Sequence, residues 1–182
     1  MPKESLMISV MHSLRYVGNK AGNTHNKNKL LNGDYMIYKE EIRDLFSVPK
    51  DYYLAHCISA DFGMGKGIAV EFNKRFNMKN ILQAKYPDHV NGWHKYRYIG
   101  KCILEGRVLN LVTKERYFHK PTYESMENAL REMETMCRCH GITKIAMPII
   151  GCGLDRLQWD KVSKIIKDIF EDTDIEILVC KQ

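Results

Sequence analysis

Apolar and polar positions along the chain switch between a period of two and a period near 3.6, and the switches mark out its elements. Apolar-rich runs at 35 to 43 and at 52 to 58 (Tyr52-Tyr53-Leu54-Ala55-His56-Cys57-Ile58) predict strands. Ile68, Phe72 and Phe76 then recur four residues apart, the spacing of one helix face, over 67 to 76. A second short helix is predicted near 80 to 86, stopped by Pro87, with loop from 87 to 96. Two β-rich runs, 97 to 104 and 107 to 113, flank Glu105-Gly106, which reads as a hairpin turn. The clearest helix spans 122 to 140. Thr122 can accept from its unpaired N–H groups, Glu124 sits in its first turn, and Met126, Leu130, Met133 and Cys137 form an apolar stripe ending before Gly141. A buried strand at 143 to 150, a loop, a helix burying Trp159, Val162, Ile166, Ile169 and Phe170, and a strand at 175 to 180 follow.

Strands that alternate with helices imply an α/β domain, a mixed sheet between helical layers, with ligands bound beyond the carboxyl ends of the strands. A chain of 182 residues has room for one such core. Residues 1 to 34 break the pattern: one apolar run at 6 to 17 precedes a polar, Asn- and Gly-rich stretch at 18 to 28. They read as an N-terminal extension of unassigned role ahead of a domain at 35 to 182. No internal repeat or low-complexity segment is visible.

Charge and cysteine usage narrow the classes. The formal net charge of +6 and pI near 8.9 favour polyanionic partners without identifying one. No stretch approaches the roughly 20 apolar residues of a membrane span, and no leader pattern opens the chain, so a soluble, cytoplasmic protein with no membrane partner is expected. Most of the six cysteines lie in apolar or helical runs, which suits free thiols in a reducing compartment. Cys137-Arg138-Cys139-His140 invites a metal reading, but neighbours two apart on a helix point in different directions and no second pair at zinc spacing appears. No metal and no cofactor are expected. The aromatic and basic run at 93 to 98 is either a stacking surface or the start of a strand, and the strand is favoured.

Two glycine-rich loops carry the candidate chemistry. Gly63-Met64-Gly65-Lys66-Gly67 follows a strand and opens a helix, so its N–H groups can approach a phosphate; a tight turn required only for packing fits equally well. It is not a Walker A loop, since Gly67 and not Ser or Thr follows Lys66, and the Gly-x-Gly-x-x-Gly spacing is absent. Gly151-Cys152-Gly153 repeats the logic at another strand end, and two such loops suit a pyrophosphate. By position alone Asp155 reads as a helix cap and Lys114, beside Glu115 and Arg116, as a charged loop residue.

His56-Cys57-Ile58-Ser59, the 63 to 70 segment, Thr113-Lys114, His119-Lys120-Pro121-Thr122-Tyr123, Met147-Pro148 and Gly151-Cys152-Gly153-Leu154-Asp155-Arg156-Leu157-Gln158-Trp159 together resemble the macrodomain family of terminal ADP-ribose protein glycohydrolases. The likeness runs from about Tyr38 to the C-terminus, with the motifs in family order. It implies a three-layer α/β/α macrodomain that hydrolyses ADP-ribose from glutamate or aspartate esters, or from DNA bases, and also cleaves O-acetyl-ADP-ribose. It implies ADP-ribosylated protein or DNA as partner, and a monomer is expected. Lys114 and Asp155 match the catalytic residues, and Asp44 the acceptor of the adenine amino group. Contacts to ADP-ribose are implied for Leu45, Ser59, Met64, Gly65, Lys66, Gly67, Ile68, Thr113 and His119, and for Pro148, Ile149, Ile150, Gly151, Cys152, Gly153 and Leu154. Arg43 stands where the family commonly has Gly before the aspartate, which makes that turn the point of departure. The rival readings are a non-catalytic ADP-ribose reader and an ordinary nucleotide enzyme using the first loop.

Overall fold

The computed structural model describes residues 36 to 87 and 98 to 181. Its elements run β1 (Ile37–Ile42), β2 (Tyr53–Ser59), α1 (Ile68–Phe76), α2 (Met78–Lys85), β3 (Lys101–Glu105), β4 (Val108–Lys114), α3 (Tyr123–His140), β5 (Lys144–Pro148), α4 (Trp159–Phe170) and β6 (Glu176–Lys181). They build one six-stranded sheet in the order β1-β6-β5-β2-β4-β3. All neighbours are parallel except the β3–β4 hairpin, whose loop is the predicted turn at Gly106. The mixed sheet follows from that single antiparallel edge.

Near-continuous apolar strands arise because both faces of the sheet are covered. Side chains alternate between two cores. Ala55, Ile145, Met147, Ile177 and Val179 meet α3 and α4 through Met126, Leu130, Met133, Val162, Ile166 and Phe170. Leu54, Ile58, Ala146, Leu178 and Cys180 meet α1 and α2 through Phe72, Met78 and Leu82. Each fully buried side chain of this size contributes about 2 kcal/mol by leaving water.

One polar pair lies inside the second core. His56, fully buried, stacks on Phe72 at 3.8 Å between ring centres, and its Nε2 lies 2.8 Å from Asn110 Oδ1. The Asn110 amide donates to the carbonyls of Ile103 and Val108, which orients its oxygen towards His56. Nε2 therefore carries the ring proton. Burial pushes the imidazole pKa down to about 4, outweighing the opposing effect of the Asn110 contact.

The long helix begins as its sequence requires. Thr122 Oγ1 accepts from Ser125 N–H, and Ser125 Oγ accepts from Thr122 N–H, both at 3.0 Å. Ser125 Oγ also lies 2.7 Å from the Thr113 carbonyl and donates to it, tying the helix start to the end of β4. Three local features depart from expectation. The second helix starts at Met78, joined to α1 through Asn77 in the left-handed region, and Pro87 is helical while residues 88 to 97 lie outside the described residues. The strand expected at 97 begins only at Lys101, after a turn at Gly100. The apolar run at 6 to 17 and the rest of the predicted extension also lie outside the described residues.

Candidate active site

The parallel strands β2, β4 and β5 end side by side at Ser59, Lys114 and Pro148, and a cleft of about 860 Å³ opens beyond them. That is the size of a small-molecule site. Ser59, Met64, Lys66, Gly67 and Ile68 line one wall. Pro148, Ile149, Ile150, Gly151, Cys152, Gly153 and Leu154 line the other, and Lys114 and Asp155 line the cleft as a pair.

The first wall is braced by a carboxylate that sequence reasoning missed. Asp61 Oδ1 accepts from Ser59 Oγ at 2.5 Å and from Gly63 N–H at 3.1 Å, while its Oδ2 accepts from Tyr117 N–H at 3.3 Å. One side chain thus fixes the glycine loop to the segment after β4. Replacing it by Ala removes three charge-assisted bonds, so Asp61→Ala is expected to lose about 2–3 kcal/mol of unfolding free energy in urea titrations. Asp61→Asn, which keeps one acceptor oxygen, should lose less.

Gly67 precedes α1 without any side-chain cap, so the first N–H groups of that helix have no side-chain partner where Gly67, Ile68 and Ala69 line the cleft. In the second wall Gly151 has φ +72°, and a Cβ there would lie 2.6 Å from Met126 Cε and 3.1 Å from Leu157 Cδ1. The left-handed backbone favours glycine, and a Cβ would also have to displace the ends of the Met126 and Leu157 side chains. The two walls approach each other at Leu154, whose Cδ1 lies 3.7 Å from the Cβ position of Gly67. Lys120 Nζ donates to the Leu154 carbonyl and ties this loop to the start of α3.

Lys114 and Asp155 form an ion pair in which Nζ donates to Asp155 Oδ1, each side chain only 13% exposed. A break in register at Ile58/Ser59 skips Thr113 and sets Lys114 opposite Ser59, at the cleft. Asp155 does not cap α4, whose first residue follows Gln158 with no side-chain cap. Two thiols share the cleft. Burial, followed by the negative charge of Asp155, pushes the Cys57 thiol up to about 12 and Cys152 to about 11. Both are protonated near neutrality and are poor nucleophiles, which leaves the Lys114 amine as the candidate.

No protein-family model matches the chain. Among curated relatives, human ADP-ribose glycohydrolase OARD1 is 46% identical over 137 residues, covering 75% of this chain and 86% of the human protein. The chain belongs to the ADP-ribose glycohydrolase family of macrodomains. A DNA ADP-ribosyl glycohydrolase of Thermus aquaticus is 26% identical over 111 residues, 59% of this chain and 31% of that protein. Among solved structures, the macrodomain of Thermus aquaticus DarG superposes with a TM-score of 0.66 at 22% identity, covering 81% of this chain and 99% of that one. Thermosipho africanus DarTG in complex with ADP-ribose gives 0.60 at 19% identity, covering 79% and 42%. The fold is the macrodomain fold, with the sheet between two helical layers.

Five residues implied by the macrodomain resemblance stand apart from the cleft wall. Leu45 is 1% exposed in the second core, and Thr113 is buried on the sheet beside Lys114. Gly65 is exposed and contributes no lining, and His119 is exposed and lies 3.9 Å from Glu115. Asp44 follows β1, and one of its oxygens accepts from Phe46 N–H at 3.0 Å, capping a short 3-10 turn at Leu45–Ser47. Arg43 takes no left-handed conformation and pairs with Glu41 at 3.5 Å, so this turn needs no glycine. Tyr117, Phe118 and Lys120 line the cleft although no local pattern singled them out. Among the described residues no cluster of three or more His, Cys, Asp or Glu is placed to hold a metal, and Cys137 is buried while Cys139 is exposed. No helix there is long and apolar enough to cross a membrane.

Proposed function

We propose that this chain releases ADP-ribose from modified macromolecules through amine chemistry at Lys114 assisted by Asp155. The observation that carries this reading is the largely buried Lys114–Asp155 pair, which lines the same cleft as the two glycine loops. The pyrophosphate lies across the start of α1 and the Gly151–Gly153 loop, both of which offer N–H groups. Adenine extends past the cleft wall to Asp44, whose oxygen not engaged by Phe46 N–H accepts from its amino group.

The reacting centre is the anomeric carbon of the distal ribose. Its bond to the macromolecule breaks and the electron pair leaves with the departing carboxylate or base. Within the pair Asp155 first takes a proton from the Lys114 ammonium and passes it to the departing group; the Nζ lone pair so freed bonds to that carbon, and Asp155 takes one of the two protons left on the nitrogen. Ring opening moves the second nitrogen proton to the ring oxygen and gives an imine. Water adds to the imine carbon while Asp155 relays its protons to the nitrogen, the C–N bond breaks, and ADP-ribose leaves with the amine restored; without Asp155 this last step is the one that stalls.

Glutamate and aspartate esters, DNA-linked ADP-ribose and O-acetyl-ADP-ribose all present this carbon or an ester next to it. The test offers the purified protein an ADP-ribosylated glutamyl peptide and an ADP-ribosylated oligonucleotide side by side, with and without chelator, and measures free ADP-ribose. Release from at least one, undiminished by chelator, is expected. Tight binding of ADP-ribose with no release from either identifies a reader module instead.

A further inference from the structure

We infer that Tyr117 and Phe118 form an acceptor subsite that stacks an unpaired nucleobase beside the ADP-ribose linkage, so that this chain selects single-stranded nucleic acid over protein. The inference rests on the proposed placement of ADP-ribose in the cleft. The two rings follow Lys114 by three and four residues, line the same cleft, and are 56% and 63% exposed. They meet edge to face at 5.2 Å, and Phe118 meets His119 edge to face at 4.7 Å. Two large rings left in water side by side along a cleft form a contiguous apolar patch, the kind that marks an interaction site.

The rings stand on a braced support. Tyr117 N–H is held by Asp61, the Tyr117 Cβ lies 2.8 Å from the Cβ position of Gly63, and His119 N–H donates to the Arg116 carbonyl at 3.0 Å. The backbone beneath the rings is therefore already ordered before anything binds. Their chemistry discriminates between acceptors. An aromatic face carries the negative side of the ring quadrupole and offers nothing to a glutamate or aspartate side chain, whereas every nucleobase has a flat face that stacks on it. A base paired in a duplex has both faces covered, so the occupant is unpaired. The surrounding charge suits a phosphate backbone: Lys66 and Lys120 line the cleft, Lys120 donating to the Leu154 carbonyl, and Arg116 directly precedes the rings in sequence. Against them, Glu115 lies 3.7 Å from Arg116 and Glu71 pairs with Arg75 at 3.4 Å.

The test compares Tyr117→Ala/Phe118→Ala with the parent, both carrying Lys114→Ala to block turnover, by fluorescence anisotropy. Alanine keeps the Cβ that packs on Gly63. Affinity for a single-stranded oligonucleotide bearing ADP-ribose on a base should fall at least about tenfold, as loss of a stacking platform does. Affinities for free ADP-ribose and for an ADP-ribosylated glutamyl peptide should stay unchanged, and Phe118→Trp should keep the oligonucleotide affinity. Equal loss on all three probes, loss confined to the peptide, or no loss on the oligonucleotide overturns the inference. Because turnover is blocked here, an intact contrast in a wild-type protein that releases nothing counts against the catalytic proposal alone. Normal release without the contrast counts against this subsite alone.

Discussion

Lys114→Ala is expected to abolish release of ADP-ribose, lowering kcat by roughly a thousandfold or more, while the cleft still binds free ADP-ribose. The amine acts along the reaction path, so its removal appears in turnover rather than in ground-state affinity. A smaller effect on affinity has its own cause. With the ammonium gone, Asp155 faces an anionic ligand as an unpaired carboxylate that is only 13% exposed. Asp155→Asn in the same background removes that charge and should restore the affinity. Because the two groups act as a unit, the double variant should turn over scarcely more slowly than Lys114→Ala alone. Full activity in Lys114→Ala would return Lys114 to the status of an ordinary charged residue at a strand end.

Acid should unfold the protein through His56 well before the surface ion pairs titrate. The buried ring keeps its neutral form, with one proton on Nε2 and a pKa near 4, whereas the ring in the unfolded chain takes up a second proton near 6.5. The unfolded state therefore binds more protons between these values. The contribution of His56 is fully present above about pH 6.5 and is lost as pH falls towards 4, amounting to about 3 kcal/mol in all. Urea unfolding at pH 7 and at pH 4.5 measures it. His56→Phe leaves Asn110 Oδ1 without its donor and so starts less stable, but its stability should fall less between the two pH values. Parallel losses in both proteins would show that another group governs acid unfolding.

Periodicity reveals most of the sheet and helices because both cores are built from regular apolar stripes. The 122 to 140 helix was legible down to its cap, since Thr122, the stripe from Met126 to Cys137 and Gly141 are all local signals. The break at Asn77 was not, because a left-handed residue between two helices leaves no mark in an apolar count. The glycine walls could be read as phosphate loops or as turns, and Gly151 proves to satisfy a packing demand made by Met126 and Leu157, the latter on the loop before α4. Lys114 and Asp155 are 41 residues apart, and nothing local joins them; only the resemblance paired them before the ion pair was in view. Asp61, Tyr117 and Phe118 depend on contacts between separate loops, which no single segment encodes.

Trapping with borohydride during turnover tests the amine chemistry most directly, because reduction fixes an imine as a stable secondary amine on the residue that formed it. Wild-type protein mixed with ADP-ribosylated substrate and borohydride should gain one ADP-ribosyl adduct, mapped by mass spectrometry to Lys114. Asp155→Ala should accumulate the adduct, and Lys114→Ala should show none. Steady release of ADP-ribose by wild-type protein with no adduct on Lys114, or with the adduct on another residue, would contradict the role assigned to Lys114.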